Sequence, residues 1–123
     1  MDDLNQMFAT LKALLQEYHP PLQPKVEDGS HFDLWSTKDV VIDGRTRKAV
    51  FFASVIIQKG YVGFYYMPVY AEPDMRARLP PELLKLLKGK SCFHIKRLDP
   101  LLVEQINQVL RSGFESYQNR GWV

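Results

Sequence analysis

Arg47-Lys48-Ala49-Val50-Phe51-Phe52-Ala53-Ser54-Val55-Ile56-Ile57-Gln58-Lys59-Gly60-Tyr61-Val62-Gly63-Phe64-Tyr65-Tyr66-Met67-Pro68 is the stretch on which the fold turns. It is crowded with β-branched and aromatic residues, which suit a pleated, half-buried surface. Lys59-Gly60 divides it as a tight turn, giving one strand from about Arg47 to Gln58 and a second over Tyr61–Met67. Pro68 has no N–H to donate and ends the second ladder. Both strands are apolar on both faces. One face should therefore bury against helices, while the other is core, ligand pocket or self-association surface.

On the N-terminal side, Asp43-Gly44 marks a hairpin, since a type I′ turn needs positive φ at both positions. It follows strand signals at His31–Ser36 and Asp39–Asp43, readable as one strand broken near Thr37. Residues 20–30 hold three prolines and a glycine and read as a connecting loop. Before them, Leu4, Met7, Phe8, Leu11, Leu14, Leu15 and Tyr18 recur at helical spacing, with Asp3 as cap, Gln6 completing a capping box, and His19-Pro20-Pro21 as stop.

On the C-terminal side, residues 70–80 read as a loop and residues 81–88 as a short helix ended by Gly89. Ser91–Lys96 reads as a last strand. Asp99-Pro100 opens a final helix, with Leu98 able to staple to Val103 and a stripe of Leu102, Ile106, Val109, Leu110, Phe114 and Tyr117. The order is helix, antiparallel strands, short helix, strand, helix, so the class is α+β and the 123 residues form one domain.

Composition excludes some functions. Hydrophobic residues at 46% and charged residues at 24% exclude a disordered tail. A net charge of +2 is far below that of a dedicated nucleic-acid binder, so no nucleic-acid partner is expected. No apolar run reaches the roughly 20 residues of a membrane span. The start, Met-Asp-Asp-Leu-Asn, has no secretory pattern, and the single Cys92 fits a reducing compartment; a cytoplasmic location is expected. Charge is unevenly spread along the chain. Residues 1–44 hold three basic and eight acidic residues, and residues 45–123 hold thirteen and six. Arg76, Arg78, Lys85, Lys88, Lys90, Lys96 and Arg97 stand against the single acid Glu82, a basic patch suited to an acidic partner.

Three patterns imitate chemistry. Gly89-Lys90-Ser91 resembles the end of a phosphate-binding loop, but Leu84 stands where the first glycine belongs, and the motif follows a helix rather than opening one. Lys59-Gly60-Tyr61-Val62-Gly63-Phe64-Tyr65-Tyr66 imitates the aromatic strand of an RNA-binding domain, but Val62 and Gly63 break the pattern. Cys92-Phe93-His94 and His31-Phe32-Asp33 each set two metal-ligating side chains on one side of a strand, and the four could converge were the strands neighbours. Three histidines, one cysteine and scattered acids give no recognisable nucleophile–base pair, so no enzyme is expected.

Gly60-Tyr61-Val62-Gly63-Phe64-Tyr65 before a proline, the Leu83–Gly89 helix, the Gly89-Lys90-Ser91-Cys92-Phe93 strand start and the Asp99-Pro100 helix start resemble the YdhG-like family, a bacterial domain of unknown function. The resemblance covers the chain from the first helix to about Tyr117. It implies a curved antiparallel sheet of four to five strands with helices on one face. Since the family includes a frataxin-like iron chaperone, it also implies weak iron binding and delivery through surface carboxylates, for which Asp2, Asp3, Glu17, Glu27, Asp28 and Asp33 are the candidates here, with Asp39 and Asp43 further on. An acidic acceptor protein would then dock at Arg76–Arg97, and the chain would be a monomer or weak homodimer. The alternative is a small-ligand module using the aromatic sheet face, with Trp35, Tyr61, Tyr65 and His94 as liners and Arg97 as anion contact.

Overall fold

A computed structural model describes residues 3–42, 44–71 and 73–123. The first helix, α1 (Leu4–Gln16), forms where the seven-residue stripe predicts it, and Asp3 caps it by accepting the Asn5 N–H at 2.8 Å. Strands β1 (His31–Ser36), β2 (Val40–Ile42), β3 (Arg45–Arg47), β4 (Val50–Gln58) and β5 (Tyr61–Tyr66) follow. Three short helices come next, α2 (Met67–Ala71), α3 (Pro73–Ala77) and α4 (Pro81–Leu84). Then come β6 (Leu87–Lys88), β7 (Cys92–Ile95) and the long α5 (Pro100–Asn119).

The class is α+β. Five strands form an antiparallel sheet in the order β1-β4-β5-β7-β6, and β2 and β3 form a separate ribbon. Cross-strand partners share a face, so the register sorts the side chains into two sets. One set is Phe32, Leu34, Ala53, Val55, Val62, Phe64, Tyr66, Phe93 and Ile95, all at most 1% exposed. They bury against Met7, Phe8, Leu11 and Leu15 of α1 and Leu102, Ile106, Val109 and Leu110 of α5. The other set holds His31, Asp33, Trp35, Ser54, Ile56, Gln58, Tyr61, Gly63, Tyr65, Cys92 and His94.

A β-bulge settles how Phe51 and Phe52 divide. Leu34 pairs with Ala53 but Trp35 pairs with Phe51, so Phe52 is an inserted residue. Its ring enters the helix layer against Tyr18, Tyr66, Phe114 and Tyr117, while Phe51 lies against Trp35 at 5.2 Å. The edge of β1 is closed by the segment before it. Gln23 and Trp35 exchange both backbone hydrogen bonds, and Asp33 Oδ1 accepts the N–H groups of Lys25 and Val26 at 2.7 and 2.9 Å. Residues 20–30 are thus an edge cover with defined pairing rather than a plain loop.

Several boundaries differ from the sequence expectation, each for a reason of pairing. The strand expected over Arg47–Gln58 is two, since Arg45–Arg47 pairs with β2 and Val50–Gln58 with β1. The Asp39–Asp43 segment is likewise no continuation of β1 but β2, in its own ribbon; Asp43 lies outside the described residues, and Gly44 has φ +77°. The strand expected to reach Met67 stops at Tyr66, where α2 begins. The expected loop over 70–80 contains the end of α2 and all of α3, whose prolines sit in first turns where their missing N–H groups cost little. The helix expected over 81–88 stops at Leu84. Leu87 and Lys88 pair with Phe93 and Cys92 instead, and Gly89 (φ +73°) turns a hairpin rather than ending a helix. The last strand is Cys92–Ile95, shorter than Ser91–Lys96.

Candidate functional site

Trp35, Tyr61, Tyr65 and His94 all project from the face opposite α1 and α5, as the small-ligand reading requires. They do not form one site. Trp35 is on edge strand β1, three strand spacings or about 14 Å from β7. There its ring lies under Lys25 Nζ at 3.8 Å, and its Nε1 donates to Asp33 Oδ2 at 2.9 Å. Cys92-His94 and His31-Asp33 are separated by the same two intervening strands, so those four ligands do not converge.

Tyr61, Tyr65 and His94 do cluster, around Gly63. Gly63 sits opposite His94 and between the two tyrosines on the same face of the strand. Without a side chain at Gly63, the Tyr65 ring folds over its backbone, so that a Cβ there would come within 3.0 Å of Tyr65 Cε1. Tyr61 stacks on the His94 imidazole with centroids 4.0 Å apart and planes 17° from parallel. Tyr65 Oη accepts from Gln58 Nε2 at 3.4 Å and also bonds Cys92. Burial raises the titration of both the Tyr65 hydroxyl and the Cys92 thiol, which keeps Cys92 a neutral, weakly nucleophilic group at neutral pH.

His94 has a second role. It lines a cavity of about 390 Å³ at the edge of the sheet, where the end of β7 meets the last turn of α4 and the start of α5. Arg97 joins it there, so two of the five expected ligand contacts share one site. Lys85, Lys88 and Lys96 complete its cationic wall, and Leu86 and Leu102 supply an apolar one. Two acids also line it, and each already has an internal partner. Glu82 Oε2 accepts from Gln105 Nε2 at 2.7 Å, which holds its carboxyl below the usual value, with its own backbone N–H and the charge of Lys85 adding to the effect. Asp99 Oδ1 accepts the Leu102 N–H at 2.8 Å and caps α5. Among the described residues, no ion pair takes up Lys85, Lys88, Lys96 or Arg97. The sequence signal for these residues is their excess of positive charge; what it lacks is their convergence.

The basic stretch from Arg76 to Arg97 is divided by the fold. Lys90 lies over Tyr70 at 5.6 Å, and Arg78 lines a different cavity of about 390 Å³, with Glu115, Asn119 and Arg120 of the α5 end. The acidic candidates are dispersed, and Asp3, Glu27, Asp28 and Asp33 have partners within the fold. Asp3 caps α1 and Glu17 follows its end. Glu27 pairs with Lys12 at 3.8 Å. Asp28 Oδ1 accepts the N–H groups of Ser30 and His31, both at 2.8 Å, and so shapes the turn into β1. Asp33 holds the edge cover, and Asp2 lies outside the described residues. Among the described residues no three His, Cys, Asp or Glu side chains are grouped to hold a metal ion, and no helix is long and apolar enough to cross a membrane.

No family model matches the chain, and neither a curated protein nor a solved structure matches it.

Proposed function

We propose that this chain is a non-enzymatic binding module that holds a small anionic ligand in the cavity at the β6–β7 end of the sheet. The observation that carries this reading is the charge inside the cavity: four cationic side chains face two carboxylates, and both carboxylates are committed to bonds within the fold. An anion entering there meets four cations, none within ion-pair distance of a carboxylate among the described residues, with Lys85 alone sharing its charge with Glu82. Arg97 offers a planar, bidentate fork for a phosphate or carboxylate, and the lysines act as point charges around it. The volume falls within the range of small-molecule sites. The N-terminus of α5 is occupied by its own cap, so side chains rather than the helix end supply the binding. Iron delivery, implied by the YdhG-like resemblance, has less support, since four of its candidate carboxylates, Asp3, Glu27, Asp28 and Asp33, already hold bonds or an ion pair within the fold.

Calorimetric titration with inorganic phosphate tests the reading. Saturable binding is expected, weakening as salt is raised and falling at least about tenfold when Lys96→Ala and Arg97→Ala are combined, since each charged contact is worth roughly 1.5–3 kcal/mol. No saturable heat, or binding indifferent to that pair of changes, overturns it.

A further inference from the structure

The cavity is built for more than a bare anion. Its volume of about 390 Å³ lies in the range of sites that take organic molecules, so a small inorganic anion held at the cations leaves part of its lining uncontacted. Beside the cations and the two bonded acids, the remaining lining residues are Leu86, Leu102 and His94. One face of that imidazole is already covered by Tyr61, at 4.0 Å and nearly parallel. What His94 has left to offer the cavity is its other face and its rim. The Tyr61 ring lies nearly parallel beneath it, so the imidazole is braced on that side before any ligand arrives. A third ring stacked on His94 would extend an existing pile at no cost in side-chain ordering, with the two leucines against its edges.

Resting on the anion-binding reading, we propose that the ligand is an aromatic anion: a planar ring bearing a phosphate or carboxylate, with the ring stacked on His94 and the charge held by Arg97 and Lys96. The cations then set affinity for the charged group, and His94 selects the ring. Tyr61 contributes as a positioning residue, since it touches the imidazole and not the ligand.

Phenyl phosphate, cyclohexyl phosphate and inorganic phosphate titrated into the full chain separate the possibilities. The two organic esters carry rings of similar size but only one is planar and aromatic. Phenyl phosphate is expected to bind about 2- to 12-fold more tightly than cyclohexyl phosphate, the range of an added aromatic pair, with its ring protons shifted upfield in NMR spectra of the complex. His94→Ala should abolish that preference while leaving inorganic phosphate bound, and His94→Phe should keep it. Tyr61→Leu, which frees the imidazole, should reduce it, and the thermal melt of each variant checks that the fold persists. Equal binding of the two esters by the unaltered chain, or a preference that survives His94→Ala, overturns the proposal but leaves the anion site standing. Failure of all three phosphates to bind overturns the proposal and the anion site together.

Discussion

A methyl group at position 113 would overlap the Tyr66 hydroxyl and ring and come within 2.8 Å of Pro68 Cγ. Gly113 lies in the buried stripe of α5, and its missing side chain is what lets the Tyr66 hydroxyl donate to the Val109 carbonyl. Glycine inside an exposed helix costs about 1 kcal/mol relative to alanine, so propensity alone favours Gly113→Ala. The crowding should win: we expect a net destabilisation of about 1–3 kcal/mol, read from the urea midpoint, with the slope unchanged. Nothing in the sequence separates this glycine from an ordinary weak point in a helix, because the atom it makes room for is 47 positions away in the chain. Asp33 is a parallel case. One of the six iron candidates, it accepts three N–H donors at the edge of β1. At the resolution of single residues, the same carboxylate reads equally well as ligand or as structural acceptor until its neighbours are known.

Helix α4 shows the same ambiguity for an element. Leu83-Leu84-Lys85-Leu86-Leu87-Lys88 has a helical period, and only the pairing of Leu87 and Lys88 with β7 stops the helix early. What anchors the remaining turn is Gln105, buried on α5, whose Oε1 accepts the Leu83 N–H at 3.2 Å and whose Nε2 donates to Glu82. Replacing Gln105 with alanine leaves the Leu83 N–H unpartnered and releases Glu82 into the cavity. The cost should be about 1–3 kcal/mol by chemical denaturation. Phosphate affinity should fall as well, because a free carboxylate then competes for the lysines; affinity unchanged in Gln105→Ala would contradict the role given to this contact. Elements whose signals are local fared differently. The α1 stripe, the Asp99-Pro100 start of α5 and the Lys59-Gly60 turn (φ +88° at Gly60) lie where the sequence puts them, since capping, periodicity and turn chemistry act within a few residues.

For the whole molecule, the two carboxyls with lowered titration among the described residues predict the acid limb of stability. Asp28 is held below its ordinary value of 3.8 chiefly by the Ser30 backbone N–H, and Glu82 below 4.5 chiefly by Gln105. The folded chain therefore binds fewer protons than the unfolded one as the pH falls through these values. Their contribution is complete above the ordinary carboxylate range and is lost as the pH drops toward the folded values. Asp28→Asn and Glu82→Gln should each flatten the decline in unfolding free energy between pH 6 and about pH 3. A decline as steep as in the unaltered chain would show that neither bond is worth more folded than unfolded.

The α+β class, the two long helices, the central hairpin and a net positive charge beyond residue 44 were legible along the chain, because periodicity, caps, turns and composition are properties of neighbouring residues. It took the folded arrangement to bulge Phe52 into the helix layer, make Leu87-Lys88 a strand, set Trp35 apart from His94, and bring four cations and His94 to one cavity. Each of these depends on which strand lies beside which. That choice is made by burying one face of the whole sheet at once, a sum over contacts far apart in the chain that no local pattern carries.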